Sequence, residues 1–414
     1  MLKTLSLFPR LPFSSSRRFP NFATMSVEAV PLCPKFVPVE QSKIISISSS
    51  EAYKFSVVSY NILAQVFVKS SYFPHSPKPC LRWKARSKAV LTVLGDFDAD
   101  FLCLQELDEY DSFYRGNMER LGYSSIYIQR SGQKRDGCGI FYKLTSAELV
   151  LQENIEYNDL VKSIDGETNS RVMDSAVSVA GGNANAEETQ GSTEKGAEKD
   201  RGDPNDPRVR LKRDCVGIMA AFRLENHSQH LIIIANTHLY WDPKWADVKL
   251  AQAKYLLSRL DQFKTLVSEK FECIPSVILT GDFNSTPGDQ FGVLALLLIG
   301  LKPKFLFPFA CQVYNYLISG SSSSESRVEC PDELPIPLSS VYACTRGEPA
   351  FTNCTPGFTG TLDYIFFSPS GCIQPVSFLE LPDEDSPSVA GGLPNYQHPS
   401  DHLPIGAEFQ VHAQ

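Results

Sequence analysis

Four short polar motifs follow apolar runs of the chain, and their residue types suit cation binding and activation of water. They are Leu104-Gln105-Glu106, Asn236-Thr237-His238-Leu239, Gly281-Asp282-Phe283-Asn284 and Ser400-Asp401-His402. Mg²⁺ prefers oxygen ligands, which the chain supplies at Glu106, Asp282, Asn284 and, in a fifth segment, Asp363. Imidazoles at His238 and His402 can stabilise negative charge that develops during phosphodiester cleavage. The motifs together predict a metal-dependent hydrolytic site.

No single motif is specific by itself. Glu106 is compatible with a surface carboxylate, and a lone histidine is usually structural. The Asp282-Phe283-Asn284 segment is stronger, because it places two oxygen ligands two residues apart directly after a buried strand. His402 directly precedes an apolar strand, where a partner carboxylate can fix its tautomer. The whole set favours a functional site over a structural role for the histidines.

Each motif follows an apolar run, so the strands that these runs form must bring the motifs together. Period-2 and continuous apolar runs predict strands at residues 55–60, 100–105, 123–129, 138–142, 216–222, 231–236, 276–280, 362–367 and 403–409. Apolar spacing of three and four predicts helices at residues 82–94 and 245–267. Strands in runs with few helices predict an α+β sandwich of two packed, mostly antiparallel β-sheets flanked by helices. Such a fold would bring positions 61, 106, 238, 282, 363 and 402 to one edge.

The composition predicts flexible segments before and within the catalytic domain, which we place at residues 51–412. Residues 1–50 combine a disordered tail with a leader that has bases but no acid before Glu28, as transit peptides do. Such a leader predicts delivery to a mitochondrion or chloroplast, whereas a start at Met25 would leave the protein in the cytoplasm. Residues 165–206 and 319–328 lack apolar periodicity, which predicts a disordered insertion and a flexible loop.

The overall charge limits the kinds of partner. The 414 residues carry a net charge of −8, which argues against nucleic-acid binding through a broad basic surface. A local basic cluster, Arg208, Arg210, Lys212 and Arg213, could either solvate the end of the insertion or meet substrate phosphates. No apolar run approaches the roughly 20 residues of a membrane span, so no membrane partner is expected. Eleven scattered cysteines without a CxxC pair indicate reduced thiols.

Longer strings around the motifs resemble the endonuclease/exonuclease/phosphatase superfamily from about residue 55 to 409. Within it, they are similar to the deadenylase branch of carbon catabolite repressor protein 4 relatives, which includes nocturnin and Angel, and to a plant homolog in particular. The strings are SYNILA at 59–64, RDGCGIFYK at 135–143, NTHLYWDP at 236–243 and FTGTLDYI at 358–365. The resemblance implies a DNase-like, four-layer fold.

The resemblance also implies a role for each residue. Glu106 would be a direct Mg²⁺ ligand, with Mn²⁺ as a possible substitute, and Asp282 and Asp363 would complete the metal site. Asp282 and Asn284 would orient or deprotonate water, and Asn61 would steady the scissile phosphate. His402 would face the phosphoryl oxygens with Asp363 as its partner, while His238 would stabilise charge and Asp401 would orient its neighbours. Phe358 would stack on a base beside Trp241, and Asn61 and Asn284 would also contact substrate.

These roles lead to a Mg²⁺-dependent 3′→5′ exoribonuclease that shortens the poly(A) tail of single-stranded RNA and releases 5′-AMP. One alternative is a nocturnin-like phosphatase that removes the 2′-phosphate of NADP(H), with adenine dinucleotides as substrates. Another is a catalytically silent RNA-binding module, which the intact set of metal and histidine residues disfavours. The sequence shows no leucine-rich repeat, so docking to a deadenylase complex through such a module is not expected.

Overall fold

A computed structural model of the chain describes residues 30–40, 53–162, 203, 205–225, 230–288, 312–319, 334–369 and 372–411. The predicted leader lies outside this described part, and so does almost all of the predicted insertion and loop. Those expectations therefore stay predictions. Residues 30–40, which were predicted as part of the disordered tail, are described, and their strand Phe36–Pro38 pairs with Ile373–Leu379 in the first sheet.

Two large sheets and one small hairpin contain the strands of the described residues, numbered here in chain order. The first sheet has the spatial order β1 (Phe36–Pro38), β14 (Ile373–Leu379), β15 (Ile405–Val411), β2 (Tyr53–Asn61), β3 (Phe101–Gln105), β5 (Gly137–Lys143) and β4 (Tyr123–Gln129). The second has the order β10 (Ser339–Ser340), β13 (Asp363–Phe367), β9 (Ser276–Asp282), β8 (Leu231–His238), β7 (Val216–Leu224) and β6 (Ala147–Glu156). The hairpin pairs β11 (Asn353–Thr355) with β12 (Phe358–Gly360).

Each large sheet has one parallel pair of strands, and those pairs carry the polar motifs. In the first sheet β2 and β3 run parallel, so that Asn61 lies opposite Gln105 and both strands end at the same edge. In the second sheet β8 and β9 run parallel and His238 lies opposite Asp282. The antiparallel neighbour β13 places Asp363 on the other side of Asp282. Three site residues therefore stand side by side on adjacent strands.

Apolar side chains between the two sheets form one continuous core, and helices cover both outer faces. The central core includes Phe55, Phe101 and Phe222, whose rings make edge-to-face contacts. The helices are α1 (Trp83–Phe97), α2 (Arg115–Arg120), α3 (Pro207–Arg210), α4 (Ala246–Phe271), α5 (Gln312–Ile318) and α6 (Val341–Thr345). Helix α1 packs on the first sheet and helix α4 on the second, which gives four layers.

The predicted two-sheet sandwich with flanking helices is confirmed. All nine predicted strands and both predicted helices are present, with ends displaced by a few residues. Six strands of the described residues were not predicted: β1, β6, β10, β11, β12 and β14. The two longest, β6 and β14, were missed for different physical reasons. Strand β6 lies at the sheet edge and has only two buried residues, and β14 carries Pro375 beside an irregularity in its register. None of the helices in the described part of the chain has the length and apolar character needed to cross a bilayer.

Candidate active site

Asp282 occupies the centre of a buried cluster at the edge where the parallel strands end. His238 Nε2 lies 3.5 Å and His402 Nε2 lies 3.7 Å from its Oδ2 atom. The same oxygen accepts a hydrogen bond of 3.0 Å from Asn61 Nδ2. One carboxylate oxygen thus faces two imidazoles and an amide from three other parts of the chain.

Asp363 orients His402. Its Oδ2 atom lies 2.7 Å from His402 Nδ1 and also accepts a hydrogen bond of 2.6 Å from Thr352 Oγ1. Thr352 in turn accepts the backbone N–H of Leu362 and of Asp363. This geometry leaves His402 Nε2 directed at the cluster and supports the predicted partnership of Asp363 with His402.

Glu106 approaches the cluster from the first sheet. It follows β3 directly and has a positive φ of 53°, which turns its side chain away from the strand direction. Glu106 Oε2 accepts the N–H of Ala64 at 2.9 Å, and Oε1 lies 3.4 Å from Asn61 Nδ2. Since Asn61 Nδ2 also contacts Asp282, the two carboxylates are directed at the same amide nitrogen.

The electrostatics of the cluster are those of a crowded group of buried carboxylates. Burial, together with the charges of Asp401 and Asp136, raises the pKa of Glu106 to about 8. Burial and Asp363 likewise raise the pKa of Asp282, against the effect of the two histidines. A neighbouring divalent cation would offset this repulsion, because it favours the ionised form of each carboxylate.

The two histidines differ in charge although both are buried. Burial lowers the pKa of His238 to about 4, although Asp282 acts in the opposite direction. Burial also disfavours the charged form of His402, but Asp363 and Asp282 outweigh it and raise its pKa well above the usual value. At neutral pH the site therefore contains one neutral imidazole and one imidazolium.

The donor set fits a hard divalent cation. Ligand atoms of Asp282, Asp363 and His402 lie within 4.8 Å of one another, and Asp363 Oδ1 is buried without a hydrogen-bond partner. The sequence predicted Glu106 in place of His402 in this set. We favour the carboxylates, because His402 Nδ1 is already bonded to Asp363 and oxygen is the preferred ligand of Mg²⁺.

The hydrogen bonds of Asn284 hold Asp282 and the neighbouring strand end in place. It has a φ of 48°, and its backbone N–H donates to Asp282 Oδ1 at 2.9 Å. Its Nδ2 donates to the carbonyl of Leu239, and its own carbonyl accepts a hydrogen bond from the buried Lys249 Nζ. The amide nitrogen is thus used to tie the two strand ends together, while the predicted contact of Asn284 with water or substrate stays a prediction.

The predicted substrate-binding aromatics are exposed near this edge. Phe358 begins β12 with 42% of its surface accessible, and Trp241, at 64%, follows β8 by three residues. A backbone bridge between Asn353 and His402 joins the hairpin of Phe358 to the catalytic segment. Asp401 is half-buried, and its backbone carbonyl accepts the N–H of Cys354 in the same hairpin.

The basic cluster at residues 208–213 is engaged within the protein. Arg208 pairs with Asp206, and Arg210 makes two hydrogen bonds to Asp247. Arg210 and Arg213 also stack on the ring of Trp245, with guanidinium carbons 4.0 and 3.9 Å from its centroid. These contacts support a structural role at the start of α4.

Several supporting residues were missed by the sequence analysis. Thr352, Lys249 and Arg86 bond to site residues or to their backbone neighbours. Each lies 11 or more residues along the chain from the group it supports, so local patterns give no signal for Thr352 or Lys249. Arg86 does leave one, since it falls on the buried face of α1 among apolar residues.

Comparison with known proteins agrees with this architecture. The sequence profile described as the Endonuclease/Exonuclease/phosphatase family matches residues 58–402. The chain is 60% identical over 360 residues to Carbon catabolite repressor protein 4 homolog 4 of Arabidopsis thaliana, covering 86% of this chain and 78% of the relative. It is 27% identical to the CCR4-Not complex 3′-5′-exoribonuclease subunit Ccr4 of Schizosaccharomyces pombe, covering 88% of this chain and only 50% of that subunit.

Solved structures give the same picture. A crystal structure of ANGEL2, described as a 2′,3′-cyclic phosphatase in complex with adenosine-2′,3′-vanadate, has a TM-score of 0.61 and 26% identity, covering 88% of this chain and 98% of that one. The human Nocturnin catalytic domain with bound sulfate has a TM-score of 0.54 and 21% identity, covering 96% and 100%. The second likeness concerns the fold alone.

Proposed function

The chain belongs to the endonuclease/exonuclease/phosphatase family, in its carbon catabolite repressor protein 4 branch, and we propose that it is a 3′→5′ exoribonuclease of poly(A) that releases 5′-AMP. The coarser assignment, a nuclease or phosphatase of this branch, follows from the relatives. The observation that carries the proposal is the placement of Asp282 between two imidazoles and the amide that also meets Glu106.

The residues of the cluster fit hydrolysis at phosphorus. Glu106, Asp282 and Asp363 would hold Mg²⁺, with Mn²⁺ as a substitute, and the cation would supply charge stabilisation and a polarised water. Asp282 would orient the attacking water and accept its proton. The charged His402, held by Asp363, would stabilise the phosphoryl oxygens, and the neutral His238 would donate one further hydrogen bond.

The proposed preference for adenine depends on Phe358. An exposed ring on a hairpin joined to His402 can stack on the terminal base, and stacking on one aromatic ring contributes about 1–3 kcal/mol. We therefore expect Phe358→Ala to raise the KM for oligo(A) with little change in melting temperature. Equal losses on oligo(A) and oligo(U) would contradict a role in base preference.

A second candidate is hydrolysis of a terminal 2′,3′-cyclic phosphate. It is favoured by the 26% identity to ANGEL2, whose complex contains an adenosine-2′,3′-vanadate. The NADP(H) 2′-phosphatase alternative is less well supported. It would use the basic cluster to bind the 2′-phosphate, but Arg208 and Arg210 of this cluster pair with Asp206 and Asp247.

One experiment separates these activities. Protein comprising residues 25–414 is assayed with Mg²⁺ on 5′-labelled oligo(A), oligo(U), oligo(A) ending in a 2′,3′-cyclic phosphate, and NADPH. A ladder on oligo(A) with release of AMP is the expected result, and Glu106→Gln should abolish it without unfolding the protein. Removal of the cyclic phosphate alone, or phosphate release from NADPH with intact RNA, would replace the proposal with the corresponding alternative.

We also propose that the leader directs the protein to an organelle. Fusion of residues 1–50 to a fluorescent protein should give mitochondrial or plastid fluorescence in plant cells. A diffuse cytoplasmic signal from this fusion would contradict the proposal.

A further inference from the structure

Arg86 is a buried arginine whose guanidinium bonds to backbone carbonyls on both sides of the active site. It is 2% exposed. Its Nη2 donates to the carbonyls of Ile62 and Leu63, each at 2.6 Å, and its Nε donates to the carbonyl of Pro399 at 2.8 Å. Its Nη1 donates to Gln65 Oε1 at 2.9 Å.

Burial of this charge needs a reason. Removal of a guanidinium from water is costly unless hydrogen bonds satisfy its donors, and an apolar side chain of similar volume often stabilises a core better. Lysine could not replace it, since its ammonium lacks the planar fork that reaches several acceptors at once. The acceptors of Arg86 therefore indicate what the residue does.

The first group of acceptors belongs to the turn that carries Asn61 and Ala64. Asn61 contacts both Asp282 and Glu106, and the N–H of Ala64 donates to Glu106. Between them Leu63 has a φ of 58°, a conformation that costs a branched residue about 1–2 kcal/mol. Its N–H donates to Asn61 Oδ1 while its carbonyl accepts from Arg86, so both its polar groups hold it there.

The other acceptor, Pro399, stands three residues before His402. A second bond joins the same two segments, because Ser400 Oγ donates to the carbonyl of Asn61 at 2.7 Å. Arg86 and Ser400 therefore connect the turn that positions Glu106 to the segment that carries His402.

We propose that Arg86 is a positioning residue that fixes the 61–64 turn against the 399–402 segment, and so sets Glu106 and His402 for hydrolysis. The kinetic part of this inference rests on the proposed function. Direct measurement of Mn²⁺ binding does not, because it needs no substrate. If oligo(A) proves not to be the substrate, the Mn²⁺ measurement still tests the role of Arg86.

The test compares Arg86→Lys with Arg82→Lys, an exposed arginine at the start of the same helix, whose backbone but not side chain makes hydrogen bonds within the described residues. For Arg86→Lys we expect kcat on oligo(A) to fall 10-fold or more, with the KM changed by less than about twofold. Mn²⁺ affinity, measured by electron paramagnetic resonance, should fall about tenfold, which corresponds to about 1.4 kcal/mol. Arg82→Lys should leave all three unchanged.

A lower melting temperature of Arg86→Lys with wild-type kcat and Mn²⁺ affinity would overturn the proposal, since Arg86 would then only stabilise the core. If Arg86→Lys does not fold, Ser400→Ala replaces it. This change removes the parallel bond to Asn61, and the hydrogen bond that Ser400 Oγ accepts from the His402 N–H, with little loss of volume. A fall in kcat and in Mn²⁺ affinity at an unchanged melting temperature is expected for Ser400→Ala. No change in either would overturn the proposal.

Where both variants fold, a double-mutant cycle sharpens the result. Two bonds that join the same segments should be coupled, so the combined loss of Mn²⁺ affinity should differ from the product of the single losses. Strict additivity would contradict a shared positioning role.

Discussion

His238 and His402 approach the same oxygen of Asp282, yet their protonation differs because only one of them has a second carboxylate. His402 bonds to Asp363 through Nδ1, whereas His238 Nδ1 is buried with no hydrogen-bond partner. For a buried imidazole that faces only one shared carboxylate, burial outweighs the attraction and the proton is lost, whereas an imidazole held between two carboxylates keeps its proton. The residue type alone therefore does not determine the role, and Asp363 is what distinguishes the two histidines.

Replacement of Asp363 by asparagine tests this distinction. We expect Asp363→Asn to lower kcat about 10- to 100-fold, because the orienting charge is lost while the volume is kept. Circular dichroism should show a folded protein, and Asp385→Asn, an exposed position, serves as the matched control. Wild-type turnover by Asp363→Asn would mean that His402 needs no charged partner.

His398 makes the stability of the fold depend on pH. It is 5% exposed, its Nε2 has no partner, and burial lowers its pKa from 6.5 to about 4. The charged groups that line the cavity beside it are Lys35, Arg346, Glu380 and Asp383. Because the folded-state pKa lies below the unfolded one, stability is retained above about pH 6.5 and is lost as the pH falls toward 4.

A variant without a titrating side chain at position 398 provides the reference for the size of this effect. Between pH 7.5 and 5 the wild-type protein should lose about 2 kcal/mol more unfolding free energy than His398→Gln. Urea denaturation at both pH values gives the unfolding free energies of the two proteins. The packing lost in the variant is the same at both pH values, so it cancels when the two pH-dependent losses are compared. Parallel losses in the two proteins would contradict the assignment.

At the scale of elements, the site depends on how closely β8 and β9 approach each other. Gly281 has a φ of 150°, and a Cβ at this position would lie 2.1 Å from the carbonyl oxygen of Thr237. Backbone cannot move aside as a flexible side chain can. Only glycine therefore allows His238 and Asp282 to stand opposite each other at the end of the two strands.

Gly281→Ala should accordingly destabilise the protein by about 3 kcal/mol or more, at the upper end of overpacking costs. Gly116→Ala in α2 is the matched control, since a Cβ there meets nothing within 4 Å. Alanine at this helical position should stabilise by up to about 1 kcal/mol. Similar denaturation midpoints for the two variants would refute the role of Gly281.

The same elements show what could be predicted from the sequence. Strands β8 and β9 are continuous apolar runs that end at polar motifs, so their type, ends and part in the site follow from local patterns. Thr352 and Lys249 could not be placed in this way, because their partners lie 11 and 35 residues away. Roles that depend on packing between distant segments leave little trace in local spacing.

At the scale of the whole molecule, each of the two packed sheets supplies one half of the site. Asn61 ends a strand of the first sheet and Glu106 follows another, while His238, Asp282 and Asp363 belong to strands of the second. Gln105 and Asn236 bond to each other across the core at 2.7 Å, directly beneath the cluster. The relative position of the two sheets therefore sets the geometry of catalysis.

Net charge decides how such a protein can hold RNA. The net charge is −8, and Arg208 and Arg210 are paired to acids, so these two arginines add little unpaired positive charge for phosphates along a bound strand. Each phosphate contact to a single strand contributes about −0.7 to the slope of log affinity against log salt. A site that grips the 3′ end through metal and base stacking should make about two such contacts.

The KM for oligo(A) should therefore rise by only about sevenfold or less when KCl increases from 50 to 200 mM at constant Mg²⁺. Oligomers of 5 and 20 nucleotides should behave alike, because binding is confined to the 3′ end. A rise of about 50-fold, as four or more contacts would give, or a steeper slope for the longer oligomer, would instead require an extended basic track. That outcome would assign RNA binding to surfaces beyond the strand-end cluster.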